Sequence, residues 1–347
     1  VYGCYNSNSV QTINDEKLSE LQAVGIPGGS LKVGVYDKYQ ALTKAEMQTA
    51  DFAEKLNGNI ANAKNLAALS DITWNAWYYD NTDQTVKLSD EAYQIPVTEQ
   101  DIFESGNGTK ENPYVIANAA QLRAFANSLS DEKDYSNQNV VLSADIDVSQ
   151  SEWTPIGGSD YAFCGTFDGQ GHSITGIQIG SASEAKEVSA DEMYYGLFGC
   201  LDNAVVKNVT VDAQMYLHKE SSSMAGAIAG YSSNSIIDSC EVNGTIESTV
   251  DKGNNFVAGV VGFLYKGAVI NTSSAVNVKC VAQESIAEAG GITALNNRAL
   301  IAQCYTTGNV YASADREAEG MAAPGGLVGV QAGSLVNSVA YGNVSAG

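Results

Sequence analysis

Three groups of residues in this chain have types and spacings that could do chemistry. Asp145, Asp147 and Asp168 are grouped carboxylates. On a β-helix such groups cut glycans by acid–base hydrolysis or, with calcium and a basic residue, by lyase chemistry. ADIDV places the first two on one side of a short strand, and Asp168 falls in an F-D-G turn, where an aspartate commonly bonds its own backbone. A turn-forming role is therefore the expected one, and calcium ligation the rival. Trp74, Trp77, Tyr78 and Tyr79 form the densest aromatic group. A flat platform of rings would stack on sugars, but alternation along a strand points to core packing.

The third group is the six cysteines, Cys4, Cys164, Cys200, Cys240, Cys280 and Cys304. They contain no C-x-x-C pair, and only His172 and His218 could join them around a metal, so no metal site is expected. Cys4, Cys240 and Cys304 each stand four residues before a turn residue (Asn8, Gly244, Gly308), which places them in one inward column as small buried hydrophobes. A disulfide between neighbouring coils is the alternative.

Familiar catalytic signatures are missing. His218-Lys219-Glu220 has no second histidine one helical turn away, so a zinc peptidase motif is not formed. Neither a G-x-S-x-G elbow nor a phosphate loop occurs. No catalytic residue and no cofactor are expected.

The elements that must position these residues are set by repetition. Segments begin GLFG at Gly196, AIAG at Ala227, GVVG at Gly259, GITA at Gly291 and GLVG at Gly326, with starts 31, 32, 32 and 35 residues apart. A turn follows each, then an apolar pair: Val205-Val206, Ile236-Ile237, Val269-Ile270, Leu300-Ile301 and Leu335-Val336. This period signals stacked coils, none of which can bury its apolar face alone. Abundant Gly, scarce Pro and only 17% charged residues suit short strands joined by tight turns. Polar stretches at 180–194, 214–224, 249–256, 282–288 and 312–322 are expected as loops on one side of the stack, where binding evolves. Tyr194, Tyr195, Tyr231, Tyr265 and Tyr305 would add contact surface.

The net charge is −22, from 40 acidic and 18 basic residues. Such a surface repels nucleic acid and anionic membranes, so neither is an expected partner. No stretch approaches the roughly 20 apolar residues that cross a bilayer.

Residues 1–10 read as the closing strand of a preceding repeat, and the chain stops within a repeat, as expected of a piece of a longer protein. Residues 11–105 have the texture of a small α+β cap, with helices expected over Asp15–Val24 and Thr43–Leu56, the latter with a Thr43/Glu46 capping box, and a strand in ITWNAWYYD. From residue 106 the solenoid follows. Its helical cap spans 113–130, with Asn118 as N-cap and Leu122, Phe125 and Leu129 on one face, and its repeats run from about 139 to 347.

These residues resemble the GLUG-motif family of bacterial surface proteins. The match runs in fixed order through G-T-x-x-x-P-Y-x-I at Gly108–Ile116, L-x-A-D-I-D at Leu142–Asp147 and W-x-P-I-G at Trp153–Gly157. F-x-G-x-F-D-G-x-G-x-x-I at Phe163–Ile174 follows, and then the first G-L-F-G. The resemblance implies a mainly β, right-handed parallel β-helix-like solenoid in a secreted, modular, cell-wall or surface-attached protein. It supplies no catalytic residues. Similar modules accompany adhesins and precede the catalytic part of some immunoglobulin-cleaving zinc peptidases. The expected function is thus a non-catalytic structural or adhesive module meeting a host protein or glycan. The alternative is an accessory substrate-binding region of a larger secreted peptidase or glycan-active enzyme.

Overall fold

The computed structural model describes residues 102–130, 133–187, 192–315 and 320–347, and before them only short stretches: 5–6, 12–13, 16–17, 40–41, 49–53, 56, 75–80, 82 and 85–92. Two compact units divide at Pro96/Val97. The break falls earlier than the expected residue 106 because Ile102 and Phe103 are already buried in the solenoid core, with Phe103 stacked on Tyr114 at 4.1 Å between ring centroids.

The second unit is a parallel β-solenoid of about six turns. Each turn has four faces. Face A is a three-residue strand, repeated at Thr166–Asp168, Val205–Lys207, Ile236–Asp238 and Ala268–Ile270, every one paired in parallel with its counterpart in the next coil. Face B is long: Ser173–Ile179, Thr210–Lys219 and Glu241–Val250 lie in register over up to ten residues. Face C is Tyr194–Tyr195, Ser223–Ala225, Asn255–Ala258, Ile286–Gly290 and Met321–Gly325. Face D carries the glycine-flanked motifs, at Phe198–Asp202, Ala229–Ser233 and Val261–Tyr265. In the last coils D and A fuse into single strands, Thr293–Ala302 and Val328–Val336.

Alternation along each strand sends one residue in two inward, and stacking turns these into columns. Leu197, Ile228, Val260 and Ile292 form one, and Val206, Ile237, Val269 and Ile301 another, all fully buried. Burying each such side chain stabilises by about 1.5–3 kcal/mol. The corners bounding face A are made by single residues in left-handed conformation. Asn203, Asn234, Lys266 and Arg298 turn face D into A, and Asn208, Ser239, Asn271, Gln303 and Asn337 turn A into B. Asparagine recurs because its short polar side chain tolerates that region best after glycine.

Face C lies against face D so closely that a methyl group hardly fits. A Cβ on Gly262 would stand 2.7 Å from both Ala225 N and Gly230 O. One on Gly230 would stand 2.6 Å from Tyr195 N. The last glycine of each motif therefore sets the depth of the D–C corner. The column is Gly199, Gly230, Gly262, Ala294 and Gly329, and its one methyl, on Ala294, packs with Phe256 and Ala258 on the outside of the stack.

Before the first coil, a helix spans Ala119–Ala126, with the Asn118 carboxamide accepting from Gln121 N at 3.0 Å. Its Leu122 and Phe125 are fully buried, and Phe125 meets Tyr135, Phe163 and Phe167. Arg123 donates to the carbonyls of Val148, Ser151 and Glu152 and lies 5.5 Å from the Trp153 ring centre. The Trp153 indole in turn donates to the Gly196 carbonyl at 3.1 Å. The W-x-P-I-G corner is thus the fastening between helix and first coil.

Several expectations change. The stretches 214–224, 249–256 and 312–322 are strand in part, at 214–219 and 223–224, at 249–250 and 255–256, and at 312–314 and 321–322, with 316–319 outside the described residues. Face B continues through Lys219, Val250 and Ala314. Short turns lie at 220–222 and 251–254, because alternating small and apolar residues let the strands persist to either side. The segment 282–288 likewise holds a turn at 283–285, with Ile286–Glu288 in strand. Lys186–Glu187 is a strand inside 180–194, while 188–191 lie outside the described residues.

In the first unit, Glu16–Lys17 pairs antiparallel with Thr12–Ile13 where a helix was expected, the rest of Asp15–Val24 lying outside the described residues. Helical residues 50–53 and 56 are present. Their described cap is Thr49, whose hydroxyl accepts from Phe52 N at 3.1 Å; Thr43 and Glu46 are outside the described residues. Asn75–Asp80 forms the expected strand, in an antiparallel hairpin with Thr85–Ala92. Cys4 and Trp74 are outside the described residues.

Candidate functional site

The three aspartates are held as backbone acceptors, Asp147 and Asp168 within their own turns and Asp145 across to the next coil. Asp145 accepts from Ser173 N at 2.8 Å and contacts His172, and Asp147 accepts from Ser149 N at 2.9 Å. Those amide bonds hold both carboxyls below the usual carboxylate range. Burial opposes ionisation of Asp168, but the Gln170 amide, the Asn208 carboxamide and Lys207 outweigh it, so it too lies low. Asp145 and Asp147 flank Ile146 on face B, whereas Asp168 ends a strand of face A. Among the described residues no cluster of three or more His, Cys, Asp or Glu side chains could hold a metal ion.

The cysteines follow their columns. Cys240 and Cys304 share one inward column, but Thr272 stands between them, so they are two coils apart, beyond disulfide reach. All five described cysteines are free. Burial lifts the Cys240 thiol to about 12, far from a reactive thiolate.

In the first unit the hairpin splits the aromatic group by parity. Trp77 and Tyr79 oppose Leu88 and Val86 on one face, and Tyr78 opposes Lys87 on the other. The structure does not bring them together as a flat platform.

What the stack does bring together is a different aromatic row. Outside the D–C corner two outward columns run side by side. Face C contributes Tyr194, Met224, Phe256, Glu288 and Ala323, and face D contributes Cys200, Tyr231, Phe263, Leu295 and Val330. The rings are in contact from coil to coil: Tyr194–Tyr231 at 5.6 Å, Tyr231–Phe263 at 5.4 Å and Phe263–Phe256 at 5.8 Å. Phe256 is buried, and Tyr194, Tyr231, Phe263, Met224 and Leu295 are half-exposed, so the groove is an apolar strip open along one side. Partial burial raises both tyrosine hydroxyls above their ordinary range, keeping them neutral donors.

At its Tyr194 end the strip opens into a cleft of about 390 Å³. Trp153, Pro155, Gly157–Tyr161, Lys186 and Glu192–Tyr195 line it, with Asn127 and Leu129 after the helix closing one side. Tyr161 is 36% exposed there, beside the Asp160 carboxylate. Apolar walls with a few convergent polar groups are the usual make-up of a ligand site.

A second cluster lies on face B. His218 bonds Glu187 at 2.6 Å and Asp251 at 3.1 Å, one coil to either side, and Gln283 continues the chain to Asp251 at 3.1 Å. The two carboxylates raise the His218 pKa. No nucleophile is bonded to this imidazole among the described residues, so the cluster ties three coils together electrostatically.

The sequence reading named Tyr194 and Tyr231 but missed Phe256, Phe263 and Glu288. A usable signal existed for Phe263 alone: the residue directly after each glycine-flanked motif points outward beside face C.

No protein-family profile matches the chain. Over 184 residues it is 35% identical to halomucin of Haloquadratum walsbyi, covering 49% of this chain and 2% of that protein. Over 140 residues it is 31% identical to a protein of Evansella cellulosilytica named as a Gly-rich membrane protein, covering 40% of this chain and 15% of that one. The chain therefore spans a small part of the curated relatives it matches. A Bacteroides ovatus crystal structure described as an immunoglobulin A1 protease aligns over 71% of this chain and 80% of its own, at 20% identity and a TM-score of 0.41. Among the described residues no helix is long and apolar enough to cross a membrane.

Proposed function

We propose that this chain is a non-catalytic module of a bacterial surface or secreted protein, of the GLUG-motif kind, and that it meets a host protein or glycan through the strip and its cleft. The observation that carries the reading is the unbroken contact of rings from Tyr194 to Phe256 on the outside of the stack. The half-buried rings of Tyr194, Tyr231 and Phe263 serve recognition better than core packing, because part of their area stays available to a partner. The backbone amide bonds that occupy Asp145, Asp147 and Asp168 support a non-catalytic role.

The test is binding to a panel of host glycans and matrix proteins by the wild type and by the double variant Tyr161→Ala/Tyr231→Ala. The expected result is at least a tenfold loss in the variant with an unchanged far-ultraviolet spectrum. Undiminished binding in the variant, or no binding by the wild type anywhere in the panel, overturns the reading. So does turnover of a polysaccharide, with or without calcium, that Asp168→Asn abolishes.

A further inference from the structure

One residue of the strip is not explained by packing. Glu288 occupies an outward position of face C and is 6% exposed, and its Oε2 is buried with no hydrogen-bond partner. Phe256 precedes it in the column, Ala323 follows it, and Leu295 stands across the groove. At the same position the preceding coils carry Met224 and Phe256, which suit such surroundings. An ionised carboxyl there loses its hydration and gains nothing in return, a cost that a methionine or phenylalanine avoids. No ion pair satisfies it among the described residues.

The chemistry that would satisfy this site is narrow. The group must be cationic, and it must tolerate aromatic neighbours, since Glu288 pairs in register with Phe256, whose ring lies 5.8 Å from that of Phe263. A guanidinium meets both demands. Its planar fork pairs with a carboxylate through two parallel N–H donors, and its face stacks on a ring. Ala323, the next residue of the column, adds little bulk above the carboxyl. The chain's net charge of −22 favours a basic partner over an acidic one. Successive coils are about 4.8 Å apart, so Tyr194 to Glu288 spans roughly 14 Å, the length of four or five residues of extended peptide.

We propose that Glu288, with Phe256 and Phe263, forms a receptor for an arginine side chain carried by an extended segment of a partner protein that lies along the strip. The proposal rests on the reading of the strip as a contact surface and adds the partner's chemistry to it. The carboxylate accepts two N–H donors of the guanidinium, and where it is still protonated it first gives its proton to solvent.

The probe is a nine-residue Gly/Ser peptide with one central arginine, and its counterpart with citrulline at that place, titrated calorimetrically at physiological salt and pH 7.5. Wild type is expected to bind the arginine peptide at least tenfold more tightly than the citrulline peptide. Glu288→Gln is expected to abolish that preference, and Phe256→Leu to weaken it several-fold. Wild-type affinity is expected to rise from pH 6 to pH 8 while that of Glu288→Gln stays flat. Circular dichroism melts establish that the glutamine variant is folded. Equal binding of the two peptides by wild type, or an unchanged preference in Glu288→Gln, overturns the proposal. Preference for protonated chitosan oligomers over the arginine peptide would assign the site to amino sugars and also overturn it. If the Tyr161/Tyr231 variant loses host binding while Glu288→Gln changes nothing, the contact surface stands and the arginine receptor falls.

Discussion

Glu288→Gln should make this protein more stable, by a margin that opens above about pH 4.5 and is complete above about pH 7. The substitution keeps the side chain's shape and removes its charge. Burial lifts the Glu288 carboxyl from 4.5 to about 7. A group whose folded-state pKa is raised holds its proton more tightly when folded. Its favourable contribution is complete below the unfolded value and is lost as pH rises through the folded one. The window thus runs from pH 4.5 to about 7. Each unit within it is worth up to about 1.4 kcal/mol. One side of the groove is open, and solvent screening reduces the total to about 2 kcal/mol.

For a unit of this size that corresponds to about 4–8 °C in Tm. The variant should therefore melt with the wild type near pH 4.5 and about 4–8 °C above it at pH 8. Calorimetric scans at half-unit intervals provide the measurement. The low-lying aspartates and the raised His218 are common to both proteins and cancel in the difference. A pH-independent offset, or a wild type that gains on the variant as pH rises, would refute the reasoning, because either result means the carboxylate has a partner.

Other perturbations have definite outcomes. Gly262→Val puts a side chain 2.7 Å from two backbone atoms that cannot swing aside. It should cost about 3 kcal/mol or more in urea denaturation, whereas Ala294→Gly in the same column should cost only about 0.5–1 kcal/mol. The raised pKa of His218 gives stability that is full below its unfolded value and lost as pH climbs through the folded one. His218→Ala should therefore lower stability by about 0.5–1 kcal/mol at pH 5.5 and leave it unchanged at pH 9. Asp168→Ala removes the acceptor for Gln170 N and Asn208 Nδ2 and should cost about 1–2 kcal/mol. Millimolar calcium should leave the wild-type Tm unmoved, and a rise would restore the aspartates as calcium ligands.

The stacking was legible because each coil must repeat its inward residues at the same height. Gly196, Ala227, Gly259, Gly291 and Gly326 align in one column as their spacing requires. The helix at Ala119–Ala126 was equally plain, since Asn118 and the Leu122/Phe125 face identify its start and its buried side. The extent of face B was not. Segments such as VDAQMYLHK are polar on alternate residues, which reads as a loop until the neighbouring coil pairs with it. The strip escaped for a related reason. Phe256 and Phe263 are seven residues apart, and nothing local says that both face outward toward one corner. Glu288 looked like an ordinary surface acid, because its desolvation comes entirely from residues in other strands and coils.

The direction of the pairing has a mechanical consequence. Every ladder on faces A to D joins one coil to the next, so its hydrogen bonds run along the stacking axis of the solenoid. Tension along that axis loads them in line, and they part singly, as in a zipper, with no shear resistance shared across a strand. Each released coil of 32 residues would exchange about 4.8 Å of height for roughly 110 Å of thread. Held at both ends, the solenoid would yield to a pull by lengthening stepwise, so the force it transmits is limited by the release of single coils.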